Sequence, residues 1–148
     1  MKQFSTCLIF FVATLMSFSQ DDSILIHIRL VNGVTGLPIK NLMVGLEEQR
    51  AGIPHEYAEV STRADDSGVA NLRIHRNSII LTHNTHEYVD CGDENGGLIH
   101  NDYKVSDIVS TGIVEPIKRS KICTKTSGSA KPGELTLYVR PWLPGEDM

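Results

Sequence analysis

The sequence predicts an all-β sandwich of about seven strands, with a long disulfide-tied loop and at most one short helix. Three observations predict it. Short runs alternate apolar and polar residues at period two, clusters of Gly, Asn, Asp and Pro separate those runs, and a helical period shows only briefly.

The first run is Ile24 to Val31, where Ile24, Ile26, Ile28 and Leu30 share one face and His27 and Arg29 lie on the other. Asn32 and Gly33 then open a turn-rich stretch through Thr35, Gly36 and Pro38, and strand character returns at Leu42, Val44 and Leu46. Gly52 and Pro54 punctuate a loop before a third run, Tyr57 to Arg63, which sets Ala58, Val60 and Thr62 on one side. Asp65-Asp66-Ser67-Gly68 supplies side-chain acceptors and a residue free to take positive φ, so it predicts a hairpin into the alternating Ala70, Leu72 and Ile74. Ser78 to His83, with Ile79, Ile80 and Leu81 in succession, reads as a fifth strand. Glu134 to Arg140 alternates Leu135, Leu137 and Val139 against Thr136, Tyr138 and Arg140, and Pro141 ends it.

Between Asp90 and Lys131 the pattern changes to Gly92, Gly96, Gly97 and scattered Lys and Ser. Here the expectation is a loop with one helical turn between Val105 and Thr111, stopped by Gly112. A structureless segment of that length needs something to hold it. Cys91 and Cys123 flank it, and a bridge between them closes a loop of about 33 residues, stabilising the fold by roughly 3–4 kcal/mol. The close cysteine pairs of structural zinc sites are missing.

Compartment follows from the first residues. Lys2 precedes an apolar run from Cys7 to Met16, and Ser17 and Ser19 stand at small-x-small spacing, so residues 1–19 read as a signal peptide cut after Ser19. That run is short for a bilayer span, and no later segment resembles one. The expectation is an exported protein, periplasmic or extracellular, with a single domain over residues 20–148. Cleavage removes Cys7 and leaves 13 basic against 18 acidic residues, a net charge of −5. A negative balance disfavours nucleic acid and anionic lipid as partners. One core suffices at this size.

Two stretches carry a resemblance. Asn32-Gly33-Val34-Thr35-Gly36-Leu37-Pro38-Ile39, followed by the Val44 strand and by Arg63-Ala64-Asp65-Asp66-Ser67-Gly68-Val69-Ala70, resembles the carboxypeptidase regulatory-like domain over about residues 24–82. The resemblance implies a prealbumin-like, broadly Ig-like sandwich of seven strands and a mostly non-catalytic, modular role. The second half, through Tyr88-Val89-Asp90-Cys91, Tyr103-Lys104-Val105-Ser106-Asp107-Ile108, Thr111-Gly112-Ile113-Val114, Cys123 and Pro132-Gly133-Glu134-Leu135, is similar to small secreted bacterial proteins and implies no activity. Hydroxyisourate hydrolases are also prealbumin-like, but their C-terminal Tyr-Arg-Gly-Ser is replaced here by Gly145-Glu146-Asp147-Met148.

No catalytic residue and no cofactor are predicted. His83, His86 and His100, with Glu87 and Asp90 nearby, are the metal-binding candidates, although His83 and His86 point to opposite faces of an extended chain. Ser67 reads as a turn serine, and Asp65-Asp66 and Glu47-Glu48 as solvated or edge charges. Gly92 to Gly97 lacks the register of a recognisable calcium loop. Tyr103 and Trp142 are the candidates for an exposed aromatic binding surface, Trp142 first because it lies past the last strand. The predicted role is a non-enzymatic recognition or structural module whose partner is a protein or a carbohydrate. The alternative is a small metal-dependent or hydrolytic enzyme using the loop histidines.

Overall fold

The computed structural model describes residues 22–50, 52, 57–82, 88–91, 101–117 and 120–145. The signal-peptide reading at residues 1–19 lies outside them. Among the described residues, no helix is long and apolar enough to cross a membrane.

Chain order runs β1 (Ser23–Asn32), β2 (Met43–Gln49), β3 (Tyr57–Arg63), β4 (Val69–His75), β5 (Ile79–Thr82), β6 (Tyr88–Asp90), β7 (Asn101–Lys104), α1 (Val105–Ser110), β8 (Ile113–Val114) and β9 (Glu134–Pro141). They form two sheets. The first has the order β4-β1-β9-β6, with β8 also beside β9, and the second has the order β3-β2-β5-β7. The all-β sandwich is therefore as expected, and the six strands read from periodicity are all present.

Period two explains how the sheets face each other. On β1 the residues Ile26, Ile28 and Leu30 are buried, and they meet Leu72 and Ile74 of β4, Leu135 and Leu137 of β9, and Val44, Leu46 and Ile80 of the opposite sheet in one apolar core. Each such side chain contributes about 1.5–3 kcal/mol by leaving water. β1 pairs antiparallel with β4, Ile28 opposite Ala70, and parallel with β9, Ile28 opposite Leu135.

Turn chemistry at residues 65–68 is as read, but the hairpin is not. Asp65 Oδ1 accepts from the Ser67 amide at 2.8 Å, the Ser67 hydroxyl at 2.7 Å and the Val69 amide at 3.0 Å, and Gly68 takes φ +77°. Yet β3 pairs with β2 in the second sheet while β4 pairs with β1 in the first. The reversal is a corner between layers. An Asp-Gly turn fixes how the chain folds back locally and leaves open which neighbour receives the next strand. Here the Gly68 carbonyl accepts from the Leu30 amide at 2.8 Å, which hands β4 to β1, and the Ala64 amide donates to Leu42 at 2.9 Å, which keeps β3 on β2.

The expected forty-residue loop is also corrected. It supplies β7 to the second sheet and β8 to the first, with α1 between them, so the excursion is part of both layers. Only the helix was legible beforehand, and it ends as expected: the Gly112 amide donates to the Ile108 carbonyl at 3.0 Å with φ +73°. Strands of two to four residues are too short to show a period.

After β8, residues 115–117 and 120–132 lie on the outer face of the first sheet. Tyr138, on the side of β9 turned away from the core, is 1% exposed because Cys91, Cys123, Val31, Val114 and Ile117 gather around it in a second apolar cluster. The sandwich thus has a third, partial layer.

Candidate functional site

Cys91 and Cys123 are bonded, with Cα atoms 5.8 Å apart. The bridge sits directly on Gly33: a Cβ placed there would lie 2.4 Å from Cys91 Sγ and 2.9 Å from Cys123 Cβ. Gly33 is also tied on both sides, its amide donating to Val139 at 2.9 Å and its carbonyl accepting from Lys125 at 2.8 Å. Ser120 Oγ accepts from the Cys123 amide at 2.8 Å and shapes the approach to the bridge. Beyond Cys123, Thr124, Lys125 and residues 127–132 are exposed on this fixed base. Gly33 looked like an ordinary turn residue; nothing local in the sequence reveals what lies above it.

A buried polar cluster joins the two sheets where β6 and β8 meet β7. Glu115, 3% exposed, accepts at Oε1 from Asn101 Nδ2 at 3.1 Å and from the Tyr103 hydroxyl at 3.1 Å, and at Oε2 from the Tyr138 amide at 2.9 Å. Asn101 Nδ2 also donates to Asp90 Oδ2 at 3.0 Å, so one amide bridges both carboxyl groups. Burial first, and the facing Asp90 second, raise the Glu115 carboxyl far above the ordinary carboxylate range. The pair therefore retains a proton at neutral pH. Burial and the nearby Glu115 also push the Tyr103 phenol up, so it stays a neutral donor.

A second cluster holds a carboxylate, a histidine and a serine. Glu48 Oε1 accepts from Ser78 Oγ at 2.6 Å, from the His75 amide at 2.9 Å and contacts His75 Nδ1 at 2.9 Å. Burial pushes the Glu48 carboxyl up, but the hydrogen bonds from Ser78 and His75 outweigh it and leave the carboxyl below its usual value. The order matters chemically. The carboxylate stands between the other two, so the Ser78 hydroxyl gives its proton to an acceptor that stays ionised and meets no imidazole base within that trio. Its geometry instead fastens the β4–β5 turn to β2.

Against the sequence-derived candidates, the structure moves several residues. Tyr103 is corrected: it is 6% exposed, in the core and on Glu115, so it forms no aromatic surface. Alternation on β7 turns Asn101 and Tyr103 inward together, and so short a strand was not recognised. Trp142 is half-buried. Ser67 is the turn serine expected, whereas Glu48 is corrected from an edge charge to a buried acceptor, because β2 turns it inward with Val44 and Leu46. His83, His86 and His100, and the Gly92 to Gly97 stretch, lie outside the described residues. Glu115 drew no attention in the sequence, where it stands as one acid among eighteen.

No family model, no curated protein and no solved structure matches this chain.

Proposed function

We propose that this chain is an exported, non-catalytic recognition module of the carboxypeptidase regulatory-like type, which presents the disulfide-clamped segment after Cys123 to a protein or carbohydrate partner. The observation that carries this reading is the clamp: one bridge, seated on Gly33, holds an exposed Lys-, Ser- and Thr-rich stretch against the outer face of the first sheet. Holding a contact segment rigid reduces the ordering cost of binding, which favours recognition by a fixed surface. A disulfide is at home in an oxidising compartment, in keeping with the leader read at residues 1–19. The His75 and Ser78 side chains and Glu115 are engaged in holding strands together.

The test is a glycan array and a cross-linking screen on intact cells, run with the mature protein and with Lys125→Ala/Lys131→Ala. Loss of a saturable partner in the double variant supports the reading. A partner that binds the variant equally well, or a stoichiometric transition metal bound by the loop histidines in elemental analysis, overturns it.

A further inference from the structure

β3 is the outermost strand of the second sheet, and among the described residues no strand lies on its far side. None of its seven residues is buried: Tyr57, Glu59, Ser61 and Arg63 are exposed, and Ala58, Val60 and Thr62, on the side of the core, are half-buried. It runs beside β2 in an unbroken register, from Met43 opposite Arg63 to Gln49 opposite Tyr57. The longest connection outside the described residues within the sandwich, 92–100, joins β6 to β7. A strand beyond β3 would lie four strand spacings, about 19 Å, from β7. Nine residues fixed at both ends cannot lay one there.

Edge strands are ordinarily guarded by shortness, a proline, a bulge or an inward-pointing charge, and β3 has none of these. The other edges differ. β6 and β7 are three and four residues long, and β4 carries Arg73 with no acid, so pairing with its own copy brings like charges together. On β3 the Ala64 amide, just past the strand, donates to the Leu42 carbonyl at 2.9 Å. By alternation along that ladder Thr62, Val60 and Ala58 turn their backbone groups to β2, while Arg63, Ser61, Glu59 and Tyr57 turn theirs to the open side. Those outward residues include one acid and one base. Glu59 faces Glu47 on β2 and Arg63 faces Met43, so the ladder gives neither a counter-charge, and about 13 Å of strand keeps them from each other. Among the described residues neither forms an ion pair, and the Arg63 guanidinium donates to the Asn41 carbonyl.

We propose that β3 pairs antiparallel with β3 of a second copy of this chain, in the register that sets Ser61 on the two-fold axis and Glu59 opposite the partner's Arg63. Antiparallel pairing reverses one strand against the other, so charges held apart within a chain meet twice across the axis, each pair adding to the backbone hydrogen bonds. Outward backbone groups then face outward backbone groups, and Val60 lies opposite the partner's Thr62. Charge selects the register. The neighbouring registers that keep the same backbone groups facing set Glu59 against Ser61 or against Asp65. A single strand pair buries less than a stable dimer needs, so the association is weak, with a Kd on the order of 100 micromolar. The contact is on the second sheet and is independent of the surface segment proposed for recognition, which lies on the first.

The experiment is sedimentation equilibrium of the oxidised mature protein up to about 1 millimolar, an order of magnitude above the expected Kd. Glu59→Arg, Arg63→Glu and Ser61→Pro are run beside it, each checked for its fold by circular dichroism. The native chain is expected to show a monomer–dimer equilibrium. Either charge variant alone sets like charges opposite each other and is expected to associate about tenfold more weakly or less. An equimolar mixture of the two restores both opposite-charge pairs, so a heterodimer of near-native affinity is expected, a result that misfolding cannot produce. Ser61→Pro removes an amide that faces away from β2, a change edge strands accept, and is expected to abolish dimerisation while the fold persists. A native chain that stays monomeric throughout overturns the proposal and leaves the edge to a strand from another protein. Undiminished dimerisation of Ser61→Pro, or a mixture of folded charge variants that associates no better than either alone, also overturns it.

Discussion

The Tyr138 amide donates to Glu115 Oε2 at 2.9 Å at the point where β9 changes partners. On one side of it, the Tyr138 carbonyl accepts from Cys91 at the end of β6; on the other, the Glu115 amide donates to Thr136 at the end of β8. Two short strands share one edge of β9, and a side-chain carboxyl fills the seam that neither backbone reaches. That explains a buried acid in structural terms: it satisfies an amide that would otherwise be orphaned in a covered layer.

Such a plug makes stability fall in alkali. Because the folded state raises the Glu115 pKa, its contribution is fully present below the ordinary carboxylate value and is lost as pH rises toward the elevated one. Urea denaturation of the native protein should therefore show a lower midpoint at pH 9 than at pH 6. Asp90→Asn, which removes the facing charge, should flatten that decline; an unchanged pH profile in this variant would disconnect Asp90 from the effect.

Glu48 works in the opposite direction. Its folded pKa lies below the unfolded value, so its contribution is present above the ordinary carboxylate range and disappears as pH falls through the depressed value. Glu134, held down chiefly by its hydrogen bonds from Arg29, behaves alike. Glu48→Gln is expected to cost about 1–3 kcal/mol at neutral pH, since Ser78 and the His75 amide lose a charged acceptor, and to make the acid limb of the stability curve shallower. Equilibrium unfolding between pH 2.5 and 7 measures both.

Gly33→Ala should destabilise by about 1–3 kcal/mol, because its Cβ would lie 2.4 Å from Cys91 Sγ and the backbone there is held on both faces. The informative comparison is a double-mutant cycle. In a Cys91→Ala/Cys123→Ala background the obstructing sulfurs are gone, and most of the cost should vanish; full additivity would mean that Gly33 matters for some other reason.

Breaking the disulfide should lower stability by roughly 3–4 kcal/mol in proportion to the loop it closes. Hydrogen exchange adds a spatial signature. Amides of Lys125 and Cys123, and that of Glu115 at the β8 end, should lose protection before those of Ile26 or Ile28 on β1, which sit in the separate core cluster. Uniform loss across both clusters would show that the outer layer is not a distinct unit.

Local chemistry in the sequence was sufficient for the long strands, the Asp65–Gly68 reversal, the Gly112 stop and the pairing of Cys91 with Cys123. Each depends on residues close in the chain or on a choice of one partner. Period two on β1 and β9 states which side chains face inward, and does so whatever strand lies alongside. What the chain order does not contain is the assignment of strands to sheets. β3 and β4 carry identical alternation whether they pair with each other or, as here, with β2 and β1 in different layers. The same holds for Glu115, Asn101, Tyr103 and Asp90, and for Gly33 beneath its disulfide: their meaning comes from neighbours up to about a hundred residues away, brought together only when both layers close. Alternation and turn preference are short-range properties of the backbone, whereas burial and proton retention are set by whatever the packed layers exclude, and only the tertiary structure decides that.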